Sequence, residues 1–245
     1  MVCDNFLGSH ATTPAHHARW EPAAGRWNLR KRLVLAFLCC GFLAAQPAAP
    51  DRKVQGNVLI SGHDPAVRIQ LPKDVRYLAA VRFNLYEIAD CELHVFVEAD
   101  ADNNVQRLYW VQFEGYLPTK PDLHYQYDSP RHITIGGLDF YVDTWVRSAG
   151  TKTRPGSDRE HVHAVIRAKG YKMPPGMMYV RLVHLLDEQK RKELMIVYGE
   201  DLSTTGRRAA DLEPGGRAHA SWPAIDKGLV ERAQQSIAVE PMSRP

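Results

Sequence analysis

Two neighbouring runs of alternating side chains constrain this chain most. Across residues 77–88, Val81, Phe83 and Leu85 fall on one side, with Arg82, Asn84 and Tyr86 on the other. Across residues 92–98, Leu93, Val95 and Val97 oppose Glu92, His94, Phe96 and Glu98. Successive side chains of an extended strand point to opposite faces, so this period of two predicts half-buried antiparallel strands, turning at Asp90.

The rest of the body reads in the same terms. Short apolar runs at 57–61 and 67–71 lie between Gly and Pro punctuation, and 107–117 resumes as strand after the turn residues Asp100-Ala101-Asp102-Asn103-Asn104. Runs at 132–136 and 138–147 flank Gly136-Gly137, a hairpin signal. Ser157 with Glu160 three residues on predicts a helix start, the stripe Val162, Val165 and Ile166 its buried face, and Gly170 its end. Strands at 177–186 and 194–202 follow, around the charged turn 188–192. Ser221 and Pro223 then open a last helix with Trp222, Ile225, Leu229, Val230, Ala233 and Ile237 along one side.

Strands, a helix, a strand pair and a helix, without strict β-α alternation, predict an α+β fold. The expectation is a curved, mainly antiparallel sheet or partly closed barrel of about eight strands, with one inserted helix and one C-terminal helix. The expected divisions are an N-terminal extension plus signal peptide over 1–45, a Pro/Ala linker over 46–56 and an α+β domain over 57–202. A flexible linker over 203–220 and a helix over 221–238 complete the chain.

Arg30-Lys31-Arg32 precedes thirteen apolar or small residues, Leu33 to Ala45, and then Gln46-Pro47-Ala48-Ala49-Pro50. A basic cluster, a short apolar run and small residues before a break match an export signal, whereas a membrane span needs roughly 17–25 residues. The prediction is cleavage after Ala45 and a periplasmic or secreted protein that meets the membrane only through that segment. An uncleaved signal anchor and an organelle transit peptide are the alternatives.

Charge narrows the function classes. The net charge of +3 resides in residues 1–45, where five basic side chains face two acidic ones, and the remainder is balanced. A body with no basic excess is not expected to bind nucleic acid, whose phosphates demand one. Cys91 is the one cysteine after residue 45, which excludes an internal disulfide or a cysteine zinc site in the body. The sequence shows no G-x-S-x-G elbow, phosphate-cradling Gly loop, C-x-x-C or H-E-x-x-H. Asp100, Asp102 and Asn104 have the spacing of a calcium loop, but Val105 and Val111 stand where it needs Gly and Glu. His161 and His163 diverge in the first turn of a helix, so they make no metal pair. No cofactor and no metal are expected.

What remains is a polar and aromatic set at strand positions: His94, Trp110, Glu114, Tyr141, Asp143, Trp145 and Arg181. Aromatic rings with a few polar groups on one sheet face suit a small, partly apolar ligand. Carboxylates beside His or Arg suit acid/base catalysis in the same place, the enzymatic alternative. The third alternative is an envelope protein-interaction module, presenting the 118–131 loop with its Tyr125 and Tyr127 or the C-terminal helix. The protein partner in that case is unknown.

Overall fold

The computed structural model describes residues 49–129 and 131–243. The predicted export segment, residues 1–45, lies outside them. Among the described residues, eleven strands form two sheets, all paired antiparallel. The small sheet has the order β1-β2-β3-β11. It consists of β1 (Lys53–Gln55), β2 (Val58–Gly62), β3 (Ala66–Gln70) and β11 (Ala238–Pro241).

The large sheet has the order β4-β5-β6-β10-β9-β8-β7 and is open, with β4 and β7 as its edges. Its strands are β4 (Arg76–Leu85), β5 (Ala89–Ala99), β6 (Val105–Tyr116), β7 (Arg131–Ile135), β8 (Leu138–Ser148), β9 (Gly176–Leu185) and β10 (Lys192–Asp201). The helices are α1 (Asp158–Ala168), the one-turn α2 (Ala209–Leu212) and α3 (Trp222–Ser236). The architecture is α+β and mainly antiparallel, as the alternation predicts, but it is two sheets rather than one and closes no barrel.

The large sheet is buried on both sides. On one face Phe96, Val111, Phe140, Leu182 and Ile196 meet Leu59 and Ile69 of the small sheet and Leu229 and Ala233 of α3. On the other face Leu93, Val95, Val97 and Trp110 meet Val162, Val165 and Ile166 of α1, which lies over β4 and β5. The second face carries the candidate residues other than His94.

Local signals explain the elements. Ser157 Oγ accepts from Glu160 N–H at 3.3 Å and starts α1. Gly170 N–H donates to Arg167 O and Tyr171 N–H to Ile166 O, the paired bonds that close a helix end. Gly136 and Gly137 both have positive φ, +59° and +81°, the combination a two-residue hairpin turn demands.

Ser221 holds the position before α3, yet its hydroxyl donates to Ala218 O and caps nothing. Residues 203–220, expected as a linker, hold α2 and two short 3₁₀ turns, with Ala209, Leu212 and Ala218 in the core. The expected linker 46–56 contains β1, and the chain after α3 returns as β11.

Candidate functional site

Strand register brings six of the seven candidate side chains to one face. Trp110 opposes Val197 on the β6–β10 ladder, Val197 opposes Arg181 on β10–β9, and Arg181 opposes Asp143 on β9–β8. These four residues thus form one row across the sheet. Trp145 opposes Tyr179 in the next row, and Tyr141 lies two residues before Asp143. Glu114, four residues after Trp110, opposes Glu193.

His94 does not join them, because it opposes Val111 and faces the small sheet. There its Nε2 lies 2.9 Å from Glu92 Oε1, and its Nδ1 lies 3.4 Å from the Tyr77 hydroxyl. Glu92 also accepts from the backbone N–H of Asp51 and Arg52 at 2.8 and 2.9 Å. Burial opposes its charge, but the hydrogen bonds from His94 and these amides, with the Arg52 charge, outweigh that and hold its carboxyl down at about 2. This buried hub fastens the start of the described chain to β5.

On the candidate face the polar groups form chains. Trp110 Nε1 donates to Gln112 Oε1 at 2.9 Å, and Gln112 Nε2 to Glu114 Oε2 at 2.6 Å. Arg181 Nη2 donates to Asp143 Oδ2 at 2.6 Å, and the Arg181 guanidinium stands 5.1 Å from the Tyr127 ring centre. The Trp145 and Tyr179 rings stack at 5.3 Å with 19° between their planes. Tyr141 and Trp145 are half-buried.

Residues 117–129 cross the β6–β10–β9–β8 part of this face as a strap. Tyr125 and Tyr127 are wholly or partly buried, and Ser129 is half-buried, while His124, Gln126 and Asp128 point out to solvent. The three inward hydroxyls donate to three carboxyls of the sheet: Tyr125 to Glu114 at 2.9 Å, Tyr127 to Glu193 at 2.7 Å and Ser129 to Asp143 at 2.8 Å. The strap's first half is gripped by Arg191, whose Nη1 donates to the carbonyls of Lys120, Pro121 and Leu123 at 2.9, 2.6 and 2.8 Å.

Glu114 and Glu193 are therefore two opposed carboxyls beneath the strap, with 8% and 1% of their surface exposed. Burial pushes the Glu114 carboxyl up, against the hydrogen bonds from Tyr125, Gln112 and the Cys91 thiol. Burial first and the neighbouring Glu114 charge second push Glu193 up to about 8, against the Tyr127 hydrogen bond and the Arg181 charge. Burial and the Glu114 charge likewise raise the Cys91 thiol, which leaves it a protonated, inert core side chain.

The sequence reading missed Glu193 and Gln112 and left Tyr125 and Tyr127 in a loop of open role. Glu193 gains its meaning only from the register that sets it against Glu114. The alternation of Tyr125, Tyr127 and Ser129 was the available signal for an extended segment lying across a sheet.

An open cleft of about 560 Å³ lies at the end of the opposite face, lined by Asp74, Arg76, Glu98, Arg107, Glu200 and Asp201 among others. Two of its carboxylates are already held: Arg107 and Tyr109 donate to Glu98 at 2.5 and 3.0 Å, while Tyr198 and Arg232 donate to Glu200. Among the described residues no group of three or more His, Cys, Asp or Glu is placed to hold a metal ion. Compared with known protein families, curated proteins and solved structures, the chain matches none.

Proposed function

We propose that this is an exported domain that binds a small, partly apolar molecule on the sheet face between α1 and the strap. The observation that carries the reading is the convergence of Trp110, Tyr141, Asp143, Trp145 and Arg181 with Tyr179 on one half-covered face. Stacked rings supply apolar contact area, and the half-buried Arg181–Asp143 pair supplies oriented polar groups, the mixture that small-molecule sites use. Export rests on the basic cluster and apolar run of residues 30–45.

Native mass spectrometry of protein isolated from its own compartment tests both parts. The expected result is an N-terminus near Gln46 and a mass above that of the bare chain, with the added mass lost in Trp145→Ala and Arg181→Gln. A folded protein that carries no added mass, and that gives no Trp fluorescence change on titration with an anilinonaphthalene sulfonate dye, overturns the binding reading.

One observation favours a second reading, acid/base catalysis. A buried carboxyl titrating near neutral pH beside a second carboxyl is what proton transfer needs. On this reading Glu193→Gln abolishes turnover of the retained molecule while leaving its retention intact. Equal turnover in the two proteins rejects it.

A further inference from the structure

We propose that the strap 117–129 is a pH-gated cover of this sheet face, closed while Glu114 or Glu193 holds a proton and lifted when both are ionised. As regulation of the proposed binding site the inference rests on that reading; the lifting of the strap does not.

The geometry supplies the gate. Directly opposed residues on antiparallel strands hold their Cβ atoms about 4.5–5.5 Å apart, so the two carboxyls share one patch of the sheet. Two like charges at that range, taken out of water, repel strongly. The charged and titratable groups around them offset it only in part: the Arg181 charge lowers Glu193 but does not outweigh burial and the Glu114 charge. Arg181 on β9 is hydrogen-bonded to Asp143 on β8, and Cys91 on β5 and Tyr125 and Tyr127 of the strap are neutral donors. Gln112 on β6 is neutral, and Arg191 in the turn before β10 is spent on strap carbonyls. Asp158 of α1 adds further negative potential at Cys91.

Exposing the pair to water relieves that repulsion, and the strap is the segment whose side chains cover it. Its inner contacts include these hydroxyl–carboxyl bonds, a backbone bond from Tyr125 N–H to Lys190 O at 2.7 Å, and ring contacts of Tyr125 with Tyr116 and of Tyr127 with Tyr141 and Arg181. Arg191 keeps hold of residues 117–123, so residues 124–129 form the moving half. The raised proton affinity of both acids supports the same conclusion, because it is the closed strap that raises it.

Lifting uncovers the row Trp110–Arg181–Asp143 and frees Asp143 from Ser129, so the face becomes accessible as pH rises. The sign follows from linkage. The closed form binds a proton that the open form releases near the ordinary carboxylate value. Closure therefore weakens by at most roughly tenfold per pH unit from about 4.5 up to about 8 and is constant above.

Hydrogen–deuterium exchange of the ligand-free protein reads this directly. After correction for intrinsic chemistry, protection of residues 123–129 is expected to fall at least roughly tenfold more than that of β9 and β10 between pH 5 and pH 8. In Glu193→Gln the fall shrinks to less than about twofold, and Glu114→Gln serves if that variant does not fold. Strap protection independent of pH in the native protein overturns the proposal. So does the same pH dependence in both variants, or loss of strap and core protection together. A protein that carries no ligand leaves each of these outcomes intact, so failure of the binding reading is seen separately.

Discussion

Arg232 and Glu200 form a two-pronged ion pair: Nε reaches Oε1 and Nη2 reaches Oε2, each at 2.8 Å. The pair ties the outer side of α3 to β10, where Tyr198 donates its hydroxyl to the same carboxylate. Arg232 is 45% exposed and Glu200 10%, so solvent screens the attraction. Arg232→Met, which keeps the aliphatic stem, is expected to cost about 1–2 kcal/mol in urea unfolding. Glu200→Gln, which leaves the hydroxyl bond, is expected to cost less. A midpoint unchanged by Arg232→Met shows that helix packing alone positions α3.

The hub at Glu92 makes the protein sensitive to acid. Its carboxyl is held at about 2 in the folded chain, below its unfolded value of 4.5. A depressed carboxyl contributes stability that is present above the unfolded value and is lost as pH falls toward the folded one. Stability is therefore expected to drop between pH 4.5 and 2, by up to about 3 kcal/mol from this group. Glu92→Gln, which also weakens the hold on Asp51 and Arg52, is expected to cost about 2–3 kcal/mol at pH 7 and to flatten that acid limb. An acid limb of unchanged slope in Glu92→Gln assigns the sensitivity to other carboxyls.

The parity of β5 shows what the sequence could and could not reveal. Alternation separates Leu93, Val95 and Val97 from Glu92, His94 and Phe96, and the structure keeps that separation. It does not say which side is inside, because this sheet is covered on both: the small sheet takes His94 and Phe96, and α1 takes Leu93 and Val95. Grouping His94 with Trp110 and Glu114 assumed a single apolar side, and the helix on the second face removes that assumption. Capping at Ser157 and the Gly136-Gly137 turn were legible because their signals are local. The second sheet was not, since β3–β11 pairs residues at opposite ends of the described chain. Ala209, Leu212 and Ala218 are small or isolated among Gly and Arg, so their burial left no periodic trace. The Glu114–Glu193 pair, likewise, is a product of register alone.

That same hairpin makes a sharp prediction about β11. A Cβ on Gly136 would stand 1.5 Å from Val239 O, a backbone atom that cannot move without breaking the β3–β11 ladder, whereas a Cβ on Gly137 meets nothing within 4 Å. Both positions carry positive φ, which costs an L-residue about 1–2 kcal/mol. Gly137→Ala is expected to cost about that much and Gly136→Ala at least about 3 kcal/mol, with loss of exchange protection over 238–241. Equal costs at the two sites show that β11 yields easily to make room.

Two groups of opposite sign shape stability on the alkaline side. Glu193, raised to about 8, contributes stability that is present below the unfolded value of 4.5 and lost as pH rises through 8. His163 on α1 is lowered to about 4, by burial first and then by the Arg159, Arg167 and Arg147 charges. Its contribution is present above its unfolded value of 6.5 and lost as pH falls toward 4. From pH 4.5 to 6.5 the two slopes oppose and largely cancel. From 6.5 to 8 the loss at the raised Glu193 carboxyl, joined by that at Glu114, is unopposed by His163, so stability is expected to fall by at least about 1–2 kcal/mol across that interval. Glu193→Gln removes its own share of this limb and leaves a protein more stable than the native one at pH 8, the reverse of the usual effect of cutting a buried hydrogen-bonded group. Chemical denaturation at pH 5, 6.5 and 8 resolves the two slopes. A native protein whose stability is level from 6.5 to 8, or a Glu193→Gln variant less stable at pH 8, shows that the pair is already ionised beneath the strap.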